Sequence, residues 1–250
     1  MIPKIVHLCW LSGDPYPELI GKCIASWSTH LPDYELRHWD AESLRGNEFP
    51  RWVYQAVEAR KYAFAADYIR LFALYSYGGV YLDADVQVLR SFNDLLSRDA
   101  FIGREVSGDL EPAVMGSVPH LPWLQSCLEY YRHRSFIKED GSFDMRPLPT
   151  VVGQILKDEY GADLDDQSIT RCRAARLDIF GPQYFSPKCR ITGELAITPV
   201  TYAIHHFDGQ WIDNNTATRG KLALHRALMG LFGRARHGEL VKFIRRLRSR

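Results

Sequence analysis

Two adjacent glycines, Gly78 and Gly79, separate a long helical pattern from a short apolar run, and no other feature constrains the fold of this chain as tightly. Glycine ends helices because it reaches the left-handed region without a Cβ penalty. Val80-Tyr81-Leu82 then reads as a buried strand, and Val86-Gln87-Val88-Leu89 resumes the strand signal after Asp83-Ala84-Asp85. Two carboxylates at the end of an inner strand are costly to desolvate. The pair is therefore expected to face a cleft, a cation or both.

The elements around this junction alternate between strand and helix. Lys4 to Trp10 is a short apolar strand, broken by Ser12-Gly13-Asp14-Pro15. Leu19, Cys23, Ile24 and Trp27 recur at helical spacing, and Tyr34 to Trp39 alternates as a second strand. Strand, helix, strand implies an α/β nucleotide-binding sheet with ligands at the strand ends. From Arg51 to Tyr77 the helical period dominates, and its alanine- and aromatic-rich second half predicts a helix buried against the sheet. Further strands are expected at Ala100–Gly103, Ala113–Gly116, Asp178–Phe180, Gln183–Phe185 and Thr201–Phe207. Helices are expected at Leu121–Arg134, at Thr150–Tyr160 and from Thr216 to the end.

The hydrophobic fraction of 46% supports a sizeable core, and 31 basic against 30 acidic residues give no case for a nucleic-acid groove. Five scattered cysteines, never spaced as CxxC, argue against a disulfide framework or a zinc knuckle and fit a reducing cytosol. No signal-peptide pattern opens the chain and no apolar run reaches the ~20 residues of a membrane span, so a cytoplasmic protein is expected. The tail from Arg234 is strongly basic. Its interleaved Leu240, Val241, Phe243, Ile244 and Leu247 suit either an amphipathic helix on anionic lipid or a solvated helix packed on the domain. Residues 1–215 are expected to form one domain and 216–250 a helical basic tail packed either on that domain or on the inner face of the membrane.

Three ordered signatures give the chain a family resemblance. Ile2-Pro3-Lys4-Ile5-Val6-His7-Leu8-Cys9-Trp10 opens it, and Ala66-Asp67-Tyr68-Ile69-Arg70 leads into Gly78-Gly79-Val80-Tyr81-Leu82-Asp83-Ala84-Asp85. Ala203-Ile204-His205-His206-Phe207 with Trp211 closes it. Together they resemble glycosyltransferase family 32, the DXD sugar-binding-region transferases that include bacterial capsule enzymes, initiating mannosyltransferases and, more distantly, glucosylating toxins. The resemblance implies a GT-A fold, a Mn²⁺- or Mg²⁺-dependent nucleotide-sugar donor and retention at the anomeric carbon.

On that reading Asp85, Asp83 and His206 ligate the metal by oxygen and imidazole nitrogen, with Asp83 alternatively at the ribose and Asp85 alternatively in a loop salt bridge. Adjacent strand residues point to opposite faces, so only one of His205 and His206 meets the metal; His206 is favoured and the other is a core histidine. Asp67 and Arg70, three apart on one helix face, either hold the donor sugar and diphosphate or form an internal ion pair. Trp10 stacks on the nucleobase or is a core residue, Tyr81 lies near the ribose or is only a strand residue, and Trp211 orders over the donor. Glu105, Asp109 and Glu111, in an acceptor-side loop, read as ordinary surface acids, and Asp163-Leu164-Asp165 as a solvated loop.

The expected activity is transfer of a hexose from a UDP-sugar (UDP-galactose, UDP-glucose or UDP-GlcNAc) to a surface glycan such as capsule or lipopolysaccharide, or to a lipid-linked glycan, with GDP-mannose as the alternative donor. A phosphatase of the haloacid-dehalogenase type shares an apolar strand ending in Asp-x-Asp, but Gly108-Asp109 is not followed by its second acid. A non-catalytic glycan-binding protein is the remaining alternative, and the intact acidic and basic set argues against it.

Overall fold

The computed structural model describes residues 1–167 and 170–208. In chain order these form β1 (Ile5–Cys9), α1 (Glu18–His30), β2 (Glu35–Trp39), α2 (Ala41–Arg45), α3 (Arg51–Glu58), α4 (Tyr62–Tyr77), β3 (Gly79–Leu82) and β4 (Val86–Val88). There follow β5 (Ala100–Arg104), β6 (Leu110–Ser117), α5 (Pro122–Arg132), α6 (Leu148–Tyr160), β7 (Arg171–Cys172), β8 (Leu177–Phe180), α7 (Pro182–Phe185) and β9 (Ala203–His205). The tail, and Trp211 with it, lies outside the described residues.

Seven strands make one mixed sheet in the order β2-β1-β3-β6-β5-β8-β7. β1 runs parallel to β2 and β3, whereas β6 is antiparallel to β3 and β5. One apolar cluster joins α3, α4, α5 and α6 to the sheet; a second gathers Trp27 of α1, Phe92, Phe185 and the β4–β9 ribbon. This is the helix-flanked α/β sheet that the GT-A resemblance implies.

Glycine is obligatory at the junction of α4 and β3. Gly78 caps α4 at φ 65°, its N–H bonded to Leu74 O at 3.0 Å. Gly79 follows at φ 104°, where a Cβ would lie 2.6 Å from Ile5 O of β1. The chain therefore turns from helix to central strand within two residues, and Asp67, Arg70 and the Asp83–Asp85 pair end on the same side of the sheet.

The pairing of β3 outlasts the strand itself: Asp83 N donates to Ala113 O at 2.9 Å. A turn closed by Val86 N to Asp83 O (3.0 Å) then lifts the chain out of the sheet. β4 leaves to pair antiparallel with β9, with Val86 opposite His205 and Val88 opposite Ala203. α1 anchors this ribbon, because Trp27 Nε1 donates to Val86 O and Val88 N to Ser26 Oγ. The acidic pair is thus the hinge between the main sheet and a two-stranded ribbon.

Two expectations are corrected. The helical stretch from Arg51 to Tyr77 is two helices, broken where Arg60 takes φ 55°. The break lets Trp52 of α3 and Phe64 of α4 both pack on Phe136, at ring-centroid distances of 5.2 and 5.3 Å. Gln183–Phe185 is not a strand but part of α7, because Pro182 opens a helical turn and Phe185 folds inward to lie 5.6 Å from the Phe101 ring. Asp163 and Asp165 are exposed, as expected, with Asp165 N bonded to Asp163 Oδ1 in a local turn. No helix among the described residues is long and apolar enough to cross a membrane.

Candidate active site

Asp83, Asp85 and His205 each offer one ligand atom, and these atoms lie within 4.8 Å of one another. His205 Nε2 stands 3.3 Å from Asp85 Oδ1, and its Nδ1 stands 3.5 Å from Glu111 Oε1. Burial alone lowers the affinity of the His205 imidazole for protons, but the Glu111 and Asp85 carboxylates outweigh it and hold the imidazole well above the usual histidine value. Asp85 moves the other way. Burial disfavours its charge, yet His205 and the Asp208 N–H, which donates to Oδ2 at 2.8 Å, bring its pKa down to about 2.

The histidine at the pair is therefore His205 and not His206, a correction that strand parity explains. Val86 faces His205 across the ribbon, so the neighbouring residue sends its ring to the other face. There His206 Nε2 lies 3.0 Å from Gln87 Oε1, while its backbone N–H donates to Asp85 O at 3.1 Å. Its backbone holds Asp85 and its side chain does not.

Asp83 is gripped from behind. Arg70 Nη2 lies 3.1 Å from Asp83 Oδ1 and 3.1 Å from Asp67 Oδ1, and Arg70 Nη1 donates to Pro112 O at 2.9 Å. The ion pair offered by the sequence as one reading of Asp67 and Arg70 is present and extends to Asp83. The Tyr81 hydroxyl donates to Asp83 Oδ1 at 3.1 Å, and the Tyr81 ring lies under the Arg70 guanidinium at 4.6 Å. Tyr81 is only 1% exposed, so its hydroxyl serves Asp83 and its ring serves the core. Burial pushes the Asp83 carboxyl up against the pull of Arg70, and raises Asp67 to about 7 with Arg70 opposing.

Trp10, half-buried beyond the end of β1, donates from Nε1 to Asp14 O at 2.8 Å and meets Tyr16 edge-on at 5.1 Å. It does not touch the acidic cluster through any of these contacts. Glu105 and Asp109 occupy the β5–β6 hairpin, both accepting from Ser107 Oγ. Glu111 is the residue that sequence reasoning misjudged. It is not a surface acid, since its side chain is only 12% exposed and lies against His205. The available signal was weak: an acid two residues before the apolar strand Ala113–Met115 approaches Asp83 only once β6 is known to pair with β3.

The donor set suits a hard or borderline divalent cation. Two carboxylates and one imidazole supply oxygen and nitrogen, the choice for Mn²⁺ or Mg²⁺ rather than for a thiolate-seeking metal. Arg70 balances Asp83 and Asp67, while Asp85 meets His205 at 3.3 Å, an imidazole that can offer a lone pair to a cation once its proton has left.

The site is thus a strand-end acidic pair with a buried arginine behind it and a ribbon histidine beside it. Residues 17–102, which include Asp67, Arg70, Asp83 and Asp85, match the family described as the glycosyltransferase sugar-binding region containing the DXD motif. The chain is similar to inositol phosphoceramide mannosyltransferase 3 of Schizosaccharomyces pombe, with 34% identity over 127 residues, covering 49% of this chain and 35% of the relative. It is similar also to mannosyl phosphorylinositol ceramide synthase SUR1 of Saccharomyces cerevisiae, with 34% identity over 140 residues, 53% of this chain and 35% of the relative. The chain thus spans about a third of the length of these curated relatives. Among solved structures, the PaToxG glycosyltransferase has 19% identity over 64% of this chain and 70% of its own, with a TM-score of 0.49.

Proposed function

We propose that this chain transfers a glycosyl unit from a nucleotide sugar in a divalent-metal-dependent reaction at Asp83, Asp85 and His205. The observation that carries the reading is the convergence of these three ligand atoms within 4.8 Å beside a buried Arg70. Asp83, Asp85 and His205 would hold a Mn²⁺ or Mg²⁺ ion, which would supply Lewis-acid stabilisation of the charge on a departing diphosphate. The chain's own residues do the rest. Arg70 and Tyr81 fix Asp83 from below, and the Asp208 and His206 backbone N–H groups fix Asp85, so both carboxylates are preorganised before donor arrives. Low proton affinity keeps Asp85 ionised across the physiological range.

The sequence favours a UDP-hexose, whereas the relatives' names favour a mannosyl donor and a phosphoinositol-ceramide acceptor. We take the mannosyl donor, as GDP-mannose, for the leading reading and a lipid-borne acceptor with it; a UDP-hexose and a surface glycan are the competing pair. Retention at the anomeric carbon is part of the same proposal.

The test is nucleotide release from GDP-mannose, UDP-glucose, UDP-galactose and UDP-GlcNAc, each with Mn²⁺ and with a chelator. Release from GDP-mannose that requires Mn²⁺ and falls about a hundredfold or more in Asp85→Asn supports the proposal. Release from a UDP-sugar alone transfers it to the competing donor. No release from any of the four, or release untouched by chelator, overturns the metal-dependent reading.

A further inference from the structure

We propose that Glu111 is a positioning residue which fixes the His205 imidazole so that Nε2 is presented to Asp83 and Asp85. This inference rests on the reading of those three side chains as a cation site.

An imidazole that ligates through one nitrogen must carry its proton on the other, and the group accepting that proton sets both tautomer and ring angle. His205 Nδ1 is buried with no hydrogen bond meeting ordinary criteria among the described residues, and it faces Glu111 Oε1 at 3.5 Å. Glu111 is itself anchored, since its Oε1 accepts from Ala113 N at 3.1 Å.

Ala113 in turn accepts from Asp83 N at 2.9 Å. The contacts therefore run in one series from one member of the acidic pair to the other: Asp83 to Ala113, Ala113 to Glu111, Glu111 to His205, and His205 Nε2 to Asp85 Oδ1 at 3.3 Å. Three separate segments, the end of β3, the start of β6 and the end of β9, are thereby held in one geometry. Glu111 is not among the three ligand atoms that converge within 4.8 Å, which separates its role from direct ligation.

The experiment is a double-mutant cycle on the full chain, with Mn²⁺ alone titrated calorimetrically into the parent, Glu111→Gln, His205→Ala and the double variant. Gln keeps the size of Glu and an oxygen acceptor but loses the charge. The inference expects Glu111→Gln to weaken Mn²⁺ binding about 10–100-fold, the usual loss for such an outer partner. In the His205→Ala background the same change has no further effect beyond about threefold, because a positioning residue has nothing left to position. Should Glu111→Gln fail to fold, Glu111→Asp takes its place in the same cycle. Parent-like Mn²⁺ affinity in the single variant overturns the inference while leaving the cation site intact. An equal loss in both backgrounds also overturns it, by making Glu111 an independent ligand. A parent chain that binds no Mn²⁺ overturns the cation-site reading and this inference together.

Discussion

His205 Nε2 and Asp85 Oδ1 lie 3.3 Å apart although β9 and the turn after β3 are distant in the chain: the β4–β9 register sets His205 opposite Val86, next to the turn that carries Asp85. Because His206 turns its ring to Gln87 on the opposite face, the two neighbours make opposite predictions. His205→Ala should weaken Mn²⁺ binding by about tenfold or more, and His206→Ala by less than about threefold. Equilibrium dialysis against Mn²⁺ measures both, and a reversed order contradicts the assignment.

Arg70, itself buried, holds two half-buried carboxylates, so its removal leaves Asp83 and the ionised fraction of Asp67 without a partner. Breaking a buried pair this way costs about 3–5 kcal/mol, whereas replacing a pair together can be nearly neutral. Urea unfolding of Arg70→Met should show a loss of that size, and Asp67→Asn in the same background should restore part of it. A loss under about 1 kcal/mol would mean that the pair is solvated and weak.

The Gly79 backbone takes φ 104°, and a Cβ would fall 2.6 Å from Ile5 O, a backbone atom in the adjacent strand. Gly79→Ala should therefore cost more than about 2 kcal/mol, combining left-handed strain with displacement of β1. Gly13→Ala, with φ 73° but nothing within 4 Å of the new Cβ, carries the backbone strain without the clash. Thermal unfolding of the two variants separates these contributions, and equal losses would rule out the clash.

His7 underlies the same junction. Trp39 Nε1 donates to its Nδ1 at 3.2 Å, which leaves its Nε2–H to donate to Gly78 O at 2.7 Å, so the ring is neutral. Burial is the main cause of its lowered pKa, about 4 against an ordinary 6.5. Between those two values the unfolded chain binds the proton and the native chain does not, so the His7 contribution to stability falls as pH drops from 6.5 towards 4, while Asp67, raised to about 7, contributes with the opposite sign over the same window. The loss is about 3 kcal/mol over that window. The difference in unfolding free energy between the parent and His7→Gln, in which the Asp67 contribution cancels, should shrink as pH falls across that window; a difference independent of pH would assign the effect elsewhere.

Local signals carried much of this architecture. The glycine pair, the apolar run and the acidic doublet are contiguous, so the α4–β3 junction and the exposed strand end were readable before any contact was known. The distinction between Asp83–Asp85 and the exposed Asp163–Asp165 also followed from neighbours in sequence. What could not be read depends on pairing between distant segments. Choosing His205 over His206 requires the β4–β9 register, because a shift of one residue exchanges their faces. Glu111 looked like one of several loop acids until the β3–β6 pairing set it beside the site. The short α7 was misread because Gln183-Tyr184-Phe185 has strand composition, and Pro182 decides its conformation.

The cation site itself is tested most directly by pulsed electron paramagnetic resonance of Mn²⁺ bound to the full chain. The account predicts coupling to an imidazole nitrogen in the parent and in His206→Ala, and its loss in His205→Ala at Mn²⁺ concentrations that still load the site. Nitrogen coupling that survives in His205→Ala, or that is missing from the parent, would contradict it.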